Sequence, residues 1–353
     1  MPDNKKKHAP PGQPANASAP APRLPLKQRI AGWADGRLQD PAKAWRKEEA
    51  MERYGIRNIA LAAKLYNRWR YSERRHLHDE AYRRDLDELM TGHSGGRPVY
   101  PPRIIMKDGY AIDESQTLPG LDRLLADAGE VVRERGGRTH GDVQRPYFRN
   151  LMFYDDIHKY PSWLDFVVSP EVLATSIEYL KTIPVLSKTR PPGVRFMESN
   201  QNMDPNPPGP WEASQLFHRD LHDQPLVYVI VLVEDVTMDC GPWVFLPASV
   251  SERASKAMGY QKRGRPYRVT DEEMYRHVDP AEAITFAYPK GTVLFIDSSK
   301  CFHYGSRLSY TPRMQMMYAY TSVCRTDFSQ TFMGSFPYPV KESDSRLRKM
   351  VLE

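Results

Sequence analysis

Two short motifs, one past the middle of the chain and one near its end, carry the residues best suited to metal chemistry. His218 and Asp220 are two positions apart, and His303 follows far downstream. On a strand, side chains at positions i and i+2 emerge on the same face, so these two could reach one ion. Two imidazoles and a carboxylate leave about three positions of an octahedral site open, a ligand set that suits non-haem Fe(II) and oxygen chemistry.

A basic residue downstream extends this interpretation. Arg313 follows His303 on the next predicted strand, and a planar guanidinium suits bidentate capture of a carboxylate. It could hold the far carboxylate of 2-oxoglutarate while the keto-acid end chelates the metal. Gln201 or Asn202, on the first predicted strand, could also contact the co-substrate, although a polar residue on a sheet face is an equally good interpretation.

The second half of the chain has the pattern of short strands separated by turn signals. The apolar, β-branched run at 226–233 predicts a strand that is buried on both faces. This pattern favours a sandwich or jelly roll over βαβ units. The predicted strands are 194–202, 215–220, 226–233, 243–247, 284–288, 292–297, 301–305 and 313–323.

The first half is predicted to be mainly helical. Helices are expected over 41–91, 121–135 and 169–180. The first should begin with Asp40 as N-cap and break at Gly55, and the third should be capped by a serine followed by proline, Ser169 and Pro170. Basic and aromatic residues mix over 68–84, but nearby acids balance them, which favours a solvated helix face over a nucleic-acid surface.

Composition excludes several classes of protein. The 353 residues carry a formal net charge of +6, from 50 basic and 44 acidic residues, so no nucleic-acid partner is expected. Three cysteines without metal-type or redox-type spacing suggest reduced thiols. No apolar run approaches the ~20 residues that span a bilayer, and no secretory signal is evident. We expect a cytoplasmic location; the sequence does not indicate an oligomeric state.

The chemistry-bearing motifs occur in a characteristic order. They are His218-x-Asp220, Gly241-Pro242, Leu246-Pro247-x-Ser249, Gly291, Asp297, His303-x-Gly305-Ser306 and Arg313. This ordered set resembles the phytanoyl-CoA dioxygenase superfamily over roughly residues 145–325. The resemblance implies an α+β chain with a mainly β core, a double-stranded β-helix (jelly roll, cupin-like) with flanking N-terminal helices. It also implies an Fe(II)- and 2-oxoglutarate-dependent dioxygenase.

The resemblance assigns roles to individual residues. It implies that His218, Asp220 and His303 bind the iron and that Arg313 binds 2-oxoglutarate. Ser306 lies one residue later than the family's serine and is a further co-substrate candidate. Halogenating relatives have a small residue in place of the carboxylate, so Asp220 favours hydroxylation. The expected reaction uses O2 to hydroxylate a C–H bond of a small-molecule or carrier-linked substrate, releasing succinate and CO2.

Four regions are expected along the chain. Residues 1–28, rich in proline, alanine and lysine, are predicted to be a disordered tail. An N-terminal helical region at 29–140 precedes the oxygenase domain at 141–330, and 331–353 form a C-terminal extension. The domain should contain a basic insertion at 251–282 near the pocket mouth, which favours an acidic or carrier-linked substrate unless it is simply a solvated loop.

Several alternatives remain open at this stage. His222 with Asp223 is a second possible ligand pair, although a turn is expected there, and Arg307 competes with Arg313 as a cationic contact. A cupin-type metalloenzyme that does not use 2-oxoglutarate would have the same motif on the same scaffold. A non-catalytic jelly-roll binding protein is the third possibility.

Overall fold

The computed structural model describes residues 25–137, 143–145, 147–200 and 210–353. It is a mixed structure of helices and antiparallel sheets. The helices are α1 (Leu26–Trp45), α2 (Glu48–Tyr54), α3 (Ile56–Arg70), α4 (Ser72–Arg84), α5 (Leu86–His93), α6 (Leu121–Arg135), α7 (Asp156–Lys159), α8 (Ser162–Val167), α9 (Pro170–Leu180), α10 (Ala248–Met258), α11 (Asp271–Met274), α12 (Ser329–Phe332) and α13 (Arg346–Leu352). The strands are β1 (Tyr110–Asp113), β2 (Val143–Arg145), β3 (Phe148–Asn150), β4 (Val185–Leu186), β5 (Val194–Ser199), β6 (Val227–Leu232), β7 (Trp243–Phe245), β8 (Ile284–Phe286), β9 (Val293–Asp297), β10 (His303–Tyr304) and β11 (Arg313–Thr321).

The strands form a large and a small antiparallel sheet. The large sheet has the order β1-β9-β6-β11-β5-β3-β2, with β4 also paired to β11. The small sheet has the order β10-β7-β8. Strands that are distant in sequence are therefore neighbours, and β11 lies at the centre of the large sheet between β5 and β6.

The large sheet is buried on both faces, as the run at 226–233 predicts. Alternate residues of β6 divide between two apolar clusters: Val229 packs on the helix-covered side, and Ile230 faces the small sheet. Residues of α6, α8, α9 and α13 cover the first side, while Trp243 and Phe286 of the small sheet close the second. Each fully buried Val or Ile side chain contributes roughly 1.5–3 kcal/mol relative to exposure.

The predicted helices are confirmed with adjustments at their ends. Helix α6 matches 121–135, α9 begins with Pro170 at its first turn, and Gly55, at φ +81°, separates α2 from α3. The expected start at Asp40 is wrong, because α1 begins at Leu26 and continues through Pro41. Ser169 occupies the N-cap position of α9, but its hydroxyl accepts no capping hydrogen bond.

The strand predicted at 215–220 is absent. A short 3₁₀ turn at Ala213–Gln215 leads into single bridges, one from Phe217 to Val269 and the next from His218 to His303. Because neighbouring residues pair with different segments, no continuous ladder forms. The other predicted strands are present but shorter; the one expected at 194–202 is described as β5, and residues 201–209 lie outside the described part.

The regional boundaries also shift. Strand β1 lies within the region expected to be helical, and it pairs with β9 of the large sheet, Tyr110 opposite Ile296. Helix α1 begins at Leu26, two residues before the boundary expected at residue 28, and residues 1–24 are outside the described part. Among the described residues, no helix is both long and apolar enough to cross a bilayer.

Candidate metal centre and anion site

Two histidines from distant segments are brought together by backbone hydrogen bonds. The His218 N–H donates to the His303 carbonyl (3.1 Å), and the His303 N–H donates to the His218 carbonyl (3.0 Å). His303 begins β10, and His218 lies in the loop that replaces the predicted strand. Their ring centroids are 4.4 Å apart, so both imidazoles face the same space.

Asp220 completes a group that could hold a metal ion. Its N–H donates to the Ser298 carbonyl (2.9 Å), which ties the loop to the end of β9. The Oδ2 atom lies 3.6 Å from Nε2 of His303. One ligand atom from each of His218, Asp220 and His303 lies within 4.8 Å of the other two. The structure thus brings together the three residues that the sequence predicts as ligands.

The histidine rings are oriented for metal binding through Nε2. Nδ1 of His218 contacts the Leu216 carbonyl at 2.8 Å, and Nδ1 of His303 contacts the Cys301 carbonyl at 3.0 Å. A proton on each Nδ1 accounts for both contacts and leaves the Nε2 lone pairs free. Metal-ligating histidines characteristically donate their second ring N–H to such a group. Trp243 stacks on His303 at 4.8 Å with 4° between the planes, which restrains that ring.

The electrostatics of the three groups match the requirements of a metal site. Burial lowers the pKa of His218 well below its ordinary value, and it also lowers the pKa of His303. Burial alone would raise the pKa of Asp220, but its interactions with the neighbouring imidazoles and a hydrogen bond with Ser298 outweigh burial and lower that pKa. Two neutral imidazoles and a carboxylate are the protonation states that metal binding needs.

Arg313 lies in the same cavity, buried and without an acidic partner among the described residues. It donates to the carbonyl of Gly241 and, from Nη2, to Oγ of Ser306 at 3.1 Å. Its Nε–H has no acceptor among those residues. Burial lowers the pKa of Arg313 to about 9, because no nearby carboxylate compensates for the lost hydration. An unpaired buried cation is costly, so an anion at this position would be strongly favoured.

Two of the motif glycines, Gly241 and Gly305, lie where the packing around Arg313 leaves little room for a side chain. Gly241 has φ +59°, and a Cβ there would come within 2.5 Å of the Arg307 carbonyl oxygen. A Cβ on Gly305 would lie 3.2 Å from Cδ1 of Trp243, a tight contact, and 3.4 Å from Nη2 of Arg313. Ser306 adopts φ +63°, which is unusual for a residue with a side chain, and this turn aims its hydroxyl at the guanidinium.

The metal candidates and Arg313 line one cavity of about 570 Å³. Its wall is formed by the inward faces of both sheets and by the loop that precedes β5. Its lining contains both polar and apolar residues. Besides His218, Asp220, His303 and Arg313, the lining includes Phe148, Arg190, Pro192, Arg195, Ser214, His222, Tyr228, Trp243, Arg268, Ser306, Met317 and Met333.

The competing residues are engaged elsewhere. His222 reaches the cavity wall, but its Nδ1 contacts Oδ2 of Asp327 at 3.0 Å, and it is not part of the metal-ligand cluster. Arg307 donates two hydrogen bonds to Asp271, at 2.7 and 2.8 Å. Asp223 accepts hydrogen bonds from backbone N–H groups, including its 2.6 Å contact with Ser322.

Two further residues singled out from the sequence, Gln201 and Asp297, are not among the described metal or anion contacts. Gln201 lies outside the described residues. Asp297, one of the motif residues, is a structural carboxylate that accepts hydrogen bonds from Tyr179 (2.8 Å) and Ser299 (2.6 Å).

Sequence reasoning missed several cavity residues. Trp243, Arg195 and Tyr228 lie on β7, β5 and β6, and each points into the space between the sheets. Alternation along β5 was the available signal, since residues two apart share a face. Without the pairing of β5 with β11, however, nothing in the sequence places Arg195 beside the cavity.

No family model matches the chain, and no curated protein matches its sequence. Among solved structures, it is similar to EctD from S. alaskensis with 2-oxoglutarate and 5-hydroxyectoine: 16% identity, 61% of this chain and 72% of that one, TM-score 0.39. It is also similar to the non-heme alpha ketoglutarate dependent carbocyclase SnoK from nogalamycin biosynthesis, with 13% identity over 65% of this chain and 86% of that one and a TM-score of 0.40. A third similar structure is HygX from Streptomyces hygroscopicus with nickel and 2-oxoglutarate bound. The identity is 12%, the match covers 61% of this chain and 83% of that one, and the TM-score is 0.36. Likeness at this level does not assign an activity, so any functional proposal depends on the geometry of the site.

Proposed function

We propose that the chain is an Fe(II)- and 2-oxoglutarate-dependent dioxygenase that hydroxylates a C–H bond of a small-molecule or carrier-linked substrate, releasing succinate and CO2. One observation carries this proposal. The His218, Asp220 and His303 ligand atoms converge within 4.8 Å in the same cavity as Arg313, a buried guanidinium with no acidic partner among the described residues. A three-residue metal site and a separate anion site are the two requirements of that chemistry.

The ligand residues fit the metal. His218 and His303 would bind it through Nε2, since a carbonyl occupies each Nδ1, and Asp220 would supply the one negative charge. Fe(II) in such a site supplies the activation of O2, with 2-oxoglutarate as the source of two electrons. The protein's part is to present the three ligands on one side and leave the others open.

Arg313 would hold the far carboxylate of 2-oxoglutarate. Its Nη2 is fixed by Ser306 and its other terminal nitrogen by the Gly241 carbonyl, so the guanidinium is oriented before a ligand arrives. Ser306 supports the arginine and is placed to contact the same carboxylate. A cupin-type enzyme that does not use 2-oxoglutarate would have no need for this buried cation.

The surroundings support the finer assignments. Two antiparallel sheets that enclose the cavity are the arrangement expected of a double-stranded β-helix, and we propose that fold for 141–330 within the phytanoyl-CoA dioxygenase superfamily. Asp220 fills the carboxylate position, which favours hydroxylation over halogenation. Trp243 and Met317 supply apolar walls that exclude water from the reacting groups.

Succinate formation tests the proposal. Purified protein is loaded anaerobically with Fe(II) and 2-oxoglutarate and then exposed to O2. We expect succinate from the wild type and none above background from His218→Ala, since the uncoupled reaction needs no identified substrate. A wild type that binds iron but forms no succinate with any tested substrate would contradict the proposal, and the cupin-type alternative would then take its place.

A further inference from the structure

The cavity contains more positive charge than the proposed metal and co-substrate use. Four arginines line it, whereas the described lining residues include one carboxylate, that of Asp220. Fe(II) and doubly charged 2-oxoglutarate would neutralise each other, and Asp220 would balance Arg313. Arg268 pairs with Glu48 outside the lining, but Arg190 and Arg195 have no carboxylate partner among the described residues, and their field favours a further anion in the same space.

Arg195 is placed to serve a different ligand from Arg313. In the pairing of β5 with β11, Arg195 lies opposite Met317 and Ser199 lies opposite Arg313. Positions 313 and 317 are on the same face of β11, so both arginines project from the cavity side of the large sheet. Four residues of strand separate them by about 13 Å. One small dicarboxylate bound at Arg313 would leave Arg195 available to another anion.

The guanidinium of Arg195 has no carboxylate within 4.0 Å among the described residues. Its Nε–H is buried with no acceptor in the same part of the chain. Cζ lies 5.3 Å from the centroid of the Tyr228 ring, which holds the side chain against the cavity wall. A partly buried, oriented guanidinium with no carboxylate beside it is suited to bind a carboxylate or phosphate.

Arg268 provides a second donor beside the metal ligands. Its Nε contacts Glu48 at 3.3 Å, but its Nη1 is buried with no acceptor among the described residues. Cζ lies 4.6 Å from the centroid of the Tyr267 ring, and that ring lies 6.1 Å from the ring of His218. Arg268 therefore lies beside the candidate metal ligands and lines the same cavity.

We propose that Arg195, assisted by Arg268, binds the anionic head group, a carboxylate or phosphate, of a substrate whose remainder is apolar. The apolar part would lie against Phe148, Met317 and Met333, which line the same cavity. This inference rests on the proposed function, because it assigns the substrate class of that site. It makes Arg195 a specificity-determining residue and leaves Arg313 to the co-substrate.

Calorimetric titration of the Ni(II)-loaded, 2-oxoglutarate-bound protein tests this without turnover. The probes are octanoate, octyl phosphate and octanol, which share an alkyl chain and differ in head group. We expect at least one anionic probe to bind about tenfold or more tighter than octanol, as a charge-assisted contact implies. Arg195→Gln should abolish that preference, and Arg195→Lys should keep part of it. Arg276→Gln, at an arginine 59% exposed near α11, is the matched control and should bind like the wild type.

The outcomes separate the two proposals. Preference for octanoate or for octyl phosphate identifies which head group the site takes. Equal binding of all three probes, or an unchanged preference in a folded Arg195→Gln variant, would overturn the inference even if 2-oxoglutarate binds normally. Anion binding that depends on Arg195 in a protein that fails to bind 2-oxoglutarate would uphold the anion site and reject the proposed function instead.

Discussion

His218 and His303 form a reciprocal pair: each donates its backbone N–H to the other's carbonyl, at 3.1 and 3.0 Å. This bridge joins a loop to a distant strand and sets the ring centroids 4.4 Å apart. Two side chains positioned through main-chain bonds are less free to adapt than two on independent loops. The candidate metal centre is thus preorganised by the backbone.

Arg313→Gln should weaken 2-oxoglutarate binding and leave metal binding intact. The substitution removes the charge that the cavity offers to a carboxylate but keeps hydrogen-bonding groups near Gly241 and Ser306. We expect an increase in the 2-oxoglutarate Kd of about tenfold to a hundredfold. Calorimetry on the Ni(II)-loaded variant measures it. An unchanged Kd would remove Arg313 from the co-substrate site.

The stability of the metal-free protein should fall as the pH drops below about 6.5. Burial lowers the folded-state pKa of His218, so the unfolded chain binds a proton that the folded chain does not. Stability is then lost as pH falls through the unfolded pKa toward the folded one, by up to ~1.4 kcal/mol per pH unit for this histidine.

Denaturant melts of the wild type and His218→Gln, from pH 7.5 to pH 5.5, measure this effect. The variant lacks the titrating ring, so its stability should depend less steeply on pH. The buried His78 and the half-buried His93 titrate in both proteins and cancel in the comparison. If the free energy of unfolding falls equally steeply with pH in the two proteins, burial of His218 does not cause the loss of stability.

Gly241→Ala should be strongly destabilising. A Cβ at this φ of +59° would lie 2.5 Å from the Arg307 carbonyl oxygen, and the residue also positions the carbonyl that holds Arg313. Gly264→Ala is the matched control, with φ +75° and nothing within 4 Å of the added Cβ. We expect ~3 kcal/mol or more for the first and ~1 kcal/mol for the second by chemical denaturation. Equal losses would mean that conformation alone, and not the close approach, requires glycine.

The sequence predicted the grouping of His218, Asp220 and His303 better than the local structure that carries them. His218 and Asp220 were expected to share a strand face, yet they lie in a loop whose residues pair with two different segments. Their convergence with His303 was predictable because the order of motifs is independent of the secondary structure around one of them. A continuous apolar run, in contrast, identified β6, and helical periodicity identified α6, since each signal lies within one continuous element.

Long-range pairing accounts for what the sequence could not reveal. Arg195 reaches the cavity only because β5 lies beside β11, and β1 joins the large sheet from a segment between two predicted helices. The start of α1 was missed because Pro41 suggested a first turn, whereas the helix continues through it. Such features depend on partners far away in the chain, which local propensities do not encode.

Anaerobic equilibrium dialysis against Fe(II) tests the proposed metal site most directly. We expect one ion per wild-type chain, loss of binding in His218→Ala, and retained binding in His222→Ala, whose ring contacts Asp327 and is not part of the ligand group. Circular dichroism of each variant confirms that the fold persists. Iron retained by a folded His218→Ala variant at the wild-type affinity would contradict the assignment of His218, Asp220 and His303 as the metal site.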